Sequence, residues 1–253
     1  MKAEKIGKHV YGDTSGEGRG NIGAIELKNF TIVIDSTISK KTAQAFRTSL
    51  ESQVKSPIRK LFITHYHADH TLGIPVFKDS DIIASEPYKG LRRTAGFQPT
   101  HTFDSSLVLK DEDLSVEINH AGGHTRDSSY LYFPEEKTLF AGDLIFAKTF
   151  FYAGDSTFNP ETWRDTLKHF SDMDVEKIVP GHGPICDKEE VTVYLEFFEA
   201  TSSIMEGVVQ EGLSENEALR SKEFPSFYPE YRKGWREMAL ANWFKFYKGK
   251  EMR

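Results

Sequence analysis

Four short loops, each at the end of or inside an apolar run, carry most of the histidine in this chain and limit its fold most strongly. The first closes the run from Ile58 to Thr64. It reads LFITHYHADHTLGIP over residues 61–75 and places His65, His67, Asp69 and His70 within six positions. The others are Gly122-Gly123-His124-Thr125, Ala141-Gly142-Asp143 and Pro180-Gly181-His182-Gly183. Glycine beside the polar residue lets the backbone turn sharply and approach a neighbouring loop. Strand ends at one edge are where α/β proteins gather their sites. If the four loops share such an edge, seven groups converge: His65, His67, Asp69, His70, His124, Asp143 and His182. Neutral imidazole and carboxylate suit a borderline cation such as zinc. Seven groups are too many for one tetrahedral ion and fit two ions sharing a bridging carboxylate. Two ions roughly 3.5–4 Å apart can hold a bridging hydroxide, nucleophilic at neutral pH because metal lowers the pKa of bound water.

The hydrophobic pattern supports an alternating α/β chain. Residues 22–27 and 30–35 read as strands separated by Lys28-Asn29, with Asp35 closing the second. Ala43, Phe46, Leu50 and Val54 form one helical stripe over residues 40–54, with Ser39 as N-cap and Pro57 as stop. Residues 58–64, 82–85, 107–109, 114–118, 128–134, 138–146 and 175–180 read as further strands, and Pro160 opens a helix near 160–170. From residue 187 the pattern is helical: 189–211, a helix capped by the box Ser214 to Glu217, and a last one from Pro229 to about Lys248, closed by Gly249. No linker separates this tail. The expectation is one domain over residues 1–253, a core of about 5–190 and a C-terminal helical extension of about 191–253.

Composition narrows the partners. Hydrophobic residues are 38% and charged residues 28%, as in a soluble globular protein, and the formal charge of −6 disfavours nucleic acid or an anionic membrane. A small-molecule substrate is the expected partner. Cys186 is the single cysteine, which excludes an intramolecular disulfide. The opening MKAEKIGKHVYGD lacks the apolar core of a secretion signal, and no apolar run reaches membrane-spanning length, so a cytoplasmic location is expected.

THYHADH, GGHT, AGD and PGHG, in this order, resemble the metallo-β-lactamase superfamily from about residue 10 to 190. The resemblance implies a four-layer αββα sandwich with metal at one edge between the sheets. Carried over by position, one metal takes His65, His67 and His124, the other takes Asp69, His70 and His182, and Asp143 bridges them. Two zinc ions per chain are implied, with iron or manganese as alternatives. The implied activity is hydrolysis, in which a metal-bridging hydroxide attacks a carbonyl of an ester, thioester, lactone or β-lactam-like amide. The segment 122–146 is similar to the corresponding stretch of antibiotic-hydrolysing zinc enzymes. Those usually have cysteine or serine in place of Asp143, and one major subclass often has arginine in place of His70. His70 and Asp143 instead match thioesterases and lactonases similar to glyoxalase II, although the tail shows no match to the glutathione-binding tail of glyoxalase II. An iron-dependent persulfide dioxygenase and a phosphodiesterase are the alternatives on the same fold.

Other residues have weaker claims. Asp69 is a candidate catalytic group besides a ligand, holding the attacking oxygen or moving a proton. Asp35 is a candidate for orienting a ligand loop. Tyr66, between two histidines, is expected to point away and pack. Phe146, Phe150, Phe151 and Tyr152 offer an aromatic wall, and Arg92, Arg93 and Arg126 offer a carboxylate grip. Trp235, Met238, Ala239, Asn242, Trp243 and Phe246 give the last helix an apolar stripe suited to core contact, a homodimer face or a substrate lid.

Overall fold

The computed structural model describes residues 1–15, 20–90 and 97–251; Arg92 and Arg93 lie outside them. One sheet is formed by β1 (Glu4–Lys5), β2 (Val10–Asp13), β3 (Ile22–Glu26), β4 (Thr31–Ile34), β5 (Ile58–Phe62), β6 (Asp81–Ser85) and β7 (His101–Phe103), in that spatial order. Its first four strands are an antiparallel meander, and β4 to β7 run parallel. The second sheet has the order β12-β11-β10-β9-β8, from β8 (Ser106–Asp111), β9 (Leu114–His120), β10 (Ser129–Phe133), β11 (Thr138–Phe146) and β12 (Lys177–His182). Only its β11–β12 pair is parallel. The helices are α1 (Lys40–Glu51), α2 (Ala68–Thr71), α3 (Pro160–Asp172), α4 (Lys188–Gln210), α5 (Glu215–Ser221) and α6 (Trp235–Glu251).

Three apolar layers hold these elements in an αββα stack. Phe46 and Leu50 of α1 pack on Val33 and Leu61 of the first sheet. Ile25, Ile32 and Ile34 meet Val116, Ile118, Leu131 and Phe133 between the sheets. Trp163, Phe170, Phe198 and Trp243 of α3, α4 and α6 cover the far side of the second sheet. The Ser39 hydroxyl caps α1 by accepting from Thr42 N at 3.2 Å. Ser214 and Glu217 form the expected capping box of α5.

Differences from the sequence reading have local causes. Helix α1 stops at Glu51, and Val54 packs on the core from the turn beyond it. β12 continues past residue 180 to His182, because its edge pairs with β11 as far as Phe146. The last helix begins at Trp235 rather than Pro229. Phe150 N donates to the Pro229 carbonyl at 2.8 Å and Phe150 bridges to Glu230, which holds 229–230 extended, while Gly234 takes φ +92° just before the helix. Gly249 does not end α6, which runs to Glu251. Strands β1, β2 and β7 are too short to show a period, and the sequence pattern passes over them.

The C-terminal helices belong to the core. Trp243 is fully buried, its ring 4.8 Å from Phe198 and 5.0 Å from Phe158, and its Nε1 donates to Ser202 Oγ. Trp243→Ala is expected to destabilise the chain by about 3–5 kcal/mol. Urea unfolding measures this, and a loss below about 1 kcal/mol would contradict so central a place. Among the described residues no helix is long and apolar enough to cross a membrane.

Candidate metal centre

Both sheets deliver residues to one edge. His65 and His67 lie on the extended chain leaving β5, and α2 turns Asp69 and His70 back toward them. His124 sits in the β9–β10 loop, Asp143 within β11 and His182 at the end of β12. Ser129 N donates to the Thr64 carbonyl at 2.9 Å and Asn21 N to the Gly181 carbonyl at 2.8 Å, so hydrogen bonds tie the two sheets together at this edge. The β11–β12 register shifts on both sides of Gly142, an irregularity that re-aims Asp143. Gly142 has φ +54°, and a Cβ there would lie 2.8 Å from Thr64 Cβ. A Cβ on Gly181 would come within 2.0 Å of Asp143 Oδ1, so glycine is required for β12 to pass the carboxylate.

All seven predicted side chains come together. They fall into two groups whose ligand atoms lie within 4.8 Å of one another: His65, His67, His124 and Asp143, then Asp69, His70 and His182. Asp143 faces both. Its Oδ2 is 3.5 Å from His65 Nε2 and 3.4 Å from His124 Nε2, while its Oδ1 is 3.1 Å from His70 Nε2 and 3.4 Å from His182 Nε2. His67 Nδ1 lies 3.1 Å from His124 Nε2, and Asp69 Oδ2 lies 3.1 Å from His182 Nε2. His65 Nε2, His70 Nε2 and Asp143 Oδ1 are buried with no hydrogen-bond partner among the described residues. Buried polar atoms rarely stay unpaired. Aimed at common points, they fit a divalent cation, and the N/O donor set suits zinc.

Outer contacts set which imidazole nitrogen points inward. The Asp35 carboxylate accepts from His70 Nδ1 at 2.8 Å, from Thr64 Oγ1 at 2.9 Å and from Thr64 N at 2.8 Å. Because the Thr64 hydroxyl spends its proton on Asp35, it accepts from His65 Nδ1 at 3.1 Å. That leaves the His65 Nε2 lone pair directed inward. His124 Nδ1 faces the Tyr152 carbonyl at 3.1 Å, which turns its Nε2 inward in the same way. Asp35 thus has the orienting place considered from sequence.

Burial and neighbouring charge divide the histidines. Burial, reinforced by His70, keeps His65 well below the usual imidazole range, and burial takes His124 down to about 3. Burial also opposes charge on His70 and His182, but Asp143 prevails with help from Asp69 and, for His70, Asp35. His70 rises well above the usual range and His182 to about 9. Burial would raise the carboxylates; nearby imidazoles overcome it, taking Asp69 to about 2 and Asp143 well below its ordinary value. The two carboxylates thus draw positive charge to this edge, here carried by protonated His70 and His182.

Residues 15–182 match the metallo-beta-lactamase superfamily. The chain belongs to this superfamily. Among curated relatives of this superfamily member is the Beta-lactamase-like protein 2 homolog of Caenorhabditis elegans, 29% identical over 154 residues, which cover 58% of this chain and 50% of that protein. Another is an atrochrysone carboxyl ACP thioesterase of Aspergillus aculeatus, 24% identical over 143 residues, covering 56% and 43%. The chain therefore spans about half the length of these curated relatives. Among solved structures, a metallo-beta-lactamase from Pontibacter korlensis shares the fold at TM-score 0.70 and 21% identity, covering 78% of this chain and 98% of that one.

This metallo-beta-lactamase fold opens its site into a cavity of about 1040 Å³, and other sequence expectations resolve around it. Phe146 and Tyr152 line the cavity, whereas Phe150 and Phe151 are fully buried in the core beneath it. Tyr66 packs in the core of the first sheet, as expected, but does not turn away from the site. It lines the cavity, and its hydroxyl donates to Asp155. Asp155, whose Oδ2 also lies 3.5 Å from His67 Nε2, escaped the sequence reading because a lone Asp in a Gly-Asp-Ser turn carries no signal. Burial opposes its charge, yet His67, Thr157 and Tyr66 hold its carboxyl below the usual range. Arg126 is exposed and not in the cavity wall. Burial pushes the Cys186 thiol up to about 12, as befits an unreactive cysteine.

Asp127, three residues after His124, gives a pH prediction. Burial raises it from 3.8 to about 6, against the hydrogen bond from Thr125, and its Oδ2 has no partner. Its protonated form therefore favours folding below about pH 4, and that advantage is lost as pH rises through about 6. Asp127→Asn is expected to gain stability over the parent at pH 8 relative to pH 4.5, by up to about 2 kcal/mol. Urea midpoints at the two pH values measure it; a constant difference would contradict the burial penalty.

Proposed function

We propose that this chain is a dinuclear metal-dependent hydrolase acting on a carbonyl: an ester, thioester, lactone or cyclic amide. The observation that carries the proposal is the division of the Asp143 carboxylate, with Oδ2 toward His65 and His124 and Oδ1 toward His70 and His182. In this reading one ion takes His65, His67 and His124, the second takes Asp69, His70 and His182, and Asp143 joins them. Divalent cations so held supply Lewis acidity toward a carbonyl oxygen and make water nucleophilic at neutral pH.

The chain's own residues do the rest. His65 and His124 stay neutral and present lone pairs because burial opposes their protonation. Asp69 lines the cavity with 26% of its side chain exposed, unlike the buried Asp143. Held near 2, it stays ionised at neutral pH and makes a weak base. Its role is to accept a hydrogen bond from the attacking water and orient it, and to pass a proton onward only as the reaction generates one. Phe146 stacks on His182 at 4.8 Å and covers that ligand with an apolar face. The similarity to an ACP thioesterase supports a thioester within the carbonyl class.

Metal analysis of protein purified without added metal, with a panel of esters, thioesters, lactones, β-lactams, phosphodiesters and persulfides, tests the reading. About two zinc per chain, and carbonyl turnover that His67→Ala abolishes, are the expected results. One iron per chain with oxygen uptake on persulfide, or turnover confined to phosphodiesters, would overturn it.

A further inference from the structure

The substrate cavity has a wall that comes from beyond the matched residues 15–182. Tyr231, Arg232 and Trp235 line it from the segment entering α6. Two anchors hold this segment. Phe227 packs 4.6 Å from Phe197 and 5.6 Å from Phe150, and the Pro229 carbonyl accepts from Phe150 N. Beyond Arg232, the Glu230 carboxylate accepts from Arg236 N at 2.6 Å. Arg232 is therefore presented from a braced turn.

Aromatic rings step from the metal centre to the rim. His67 to Tyr152 is 5.8 Å, Tyr152 to Trp235 is 5.4 Å and Trp235 to Tyr231 is 5.9 Å between centroids. Such a face takes a flat apolar body by stacking. A volume of about 1040 Å³ is at the upper end for small-molecule sites and far exceeds a short acyl group. Charge is also polarised along the wall. Among the described residues the lining carboxylates, Asp69, Asp143 and Asp155, are at the histidine end. Of the two lining cations among the described residues, Lys148 is engaged by Glu190 at 2.8 Å and by the Tyr228 hydroxyl. Arg232, beside Tyr231, forms no side-chain ion pair or hydrogen bond with the described residues. Its planar fork matches a carboxylate, sulfonate or phosphate.

We infer that the segment from Phe227 to Trp235 selects substrates with a flat apolar body and an anionic group remote from the scissile carbonyl, stacked on Trp235 and gripped by Arg232. The inference rests on the hydrolase reading for the word substrate, but its recognition half is measurable without turnover.

Calorimetric titration of the metal-loaded protein with naphthalene-2-sulfonate and with its neutral counterpart, methyl 2-naphthyl sulfone, separates the two. The sulfonate is expected to bind about tenfold more tightly, Arg232→Gln to remove that preference, and Trp235→Ala to weaken both ligands about tenfold. A matched pair of naphthyl esters, with and without a remote carboxylate, then reads the same preference in kcat/KM. No sulfonate binding, or a preference that survives Arg232→Gln, would overturn the inference. Binding as expected with no ester turned over would instead count against the hydrolase reading alone.

Discussion

If the chain is the proposed dinuclear hydrolase, Asp143→Ala is expected to leave the fold intact, lower the bound metal per chain by at least one ion and lower kcat/KM by about 10³-fold or more, a loss of about 4 kcal/mol in transition-state stabilisation. Its carboxylate turns one oxygen toward each ligand group. The fold should survive because Asp143 contributes through its carboxylate alone, while its backbone stays in β11 between apolar neighbours. Asp143→Asn keeps the shape and one carbonyl oxygen but removes the charge that attracts His70 and His182. It is expected to fall between the parent and the alanine variant. Metal content per chain, circular dichroism and kcat/KM on one ester measure the series. Full metal content with parental activity in Asp143→Ala would be decisive against a bridging role.

Asp35→Asn is expected to weaken metal binding about 10–100-fold although Asp35 lies behind the ligands. One carboxylate serves both ligand groups. It receives His70 Nδ1 directly, and through the Thr64 hydroxyl it fixes the proton on His65 Nδ1. An amide in its place sets an NH₂ against one of these donors, so one ligand loses its orientation. Asp35 also has φ 63°, which Asn adopts more easily than alanine. Asp35→Asn therefore isolates the hydrogen-bonding change. Asp35→Ala adds backbone strain and leaves buried donors unpaired, with about 3 kcal/mol of lost stability expected. Chelator competition at pH 7 and urea unfolding measure the pair, and parental zinc affinity in Asp35→Asn would exclude the orienting role.

Much of the architecture was legible because the apolar pattern is local. The stripe of Ala43, Phe46 and Leu50 became the buried face of α1, and the Ser214 to Glu217 box caps α5. Where a long-range bond competes with local preference, the pattern fails. Pro229 looks like a helix start, but pairing with Phe150 keeps it extended. Phe150 and Phe151 look like neighbours of Tyr152 in a pocket wall, yet the chain turns them into the core.

The site divides along the same line. The seven polar residues, their glycines and their order stand in the sequence because side-chain chemistry and backbone freedom belong to each residue. Their division into two groups across one carboxylate depends on the β11–β12 register and on where two sheets meet. So do the placing of Asp155 behind His67 and of Arg232 at the cavity rim. Those relations join residues tens to more than a hundred positions apart, and only the packed sheets and helices set the distances between them.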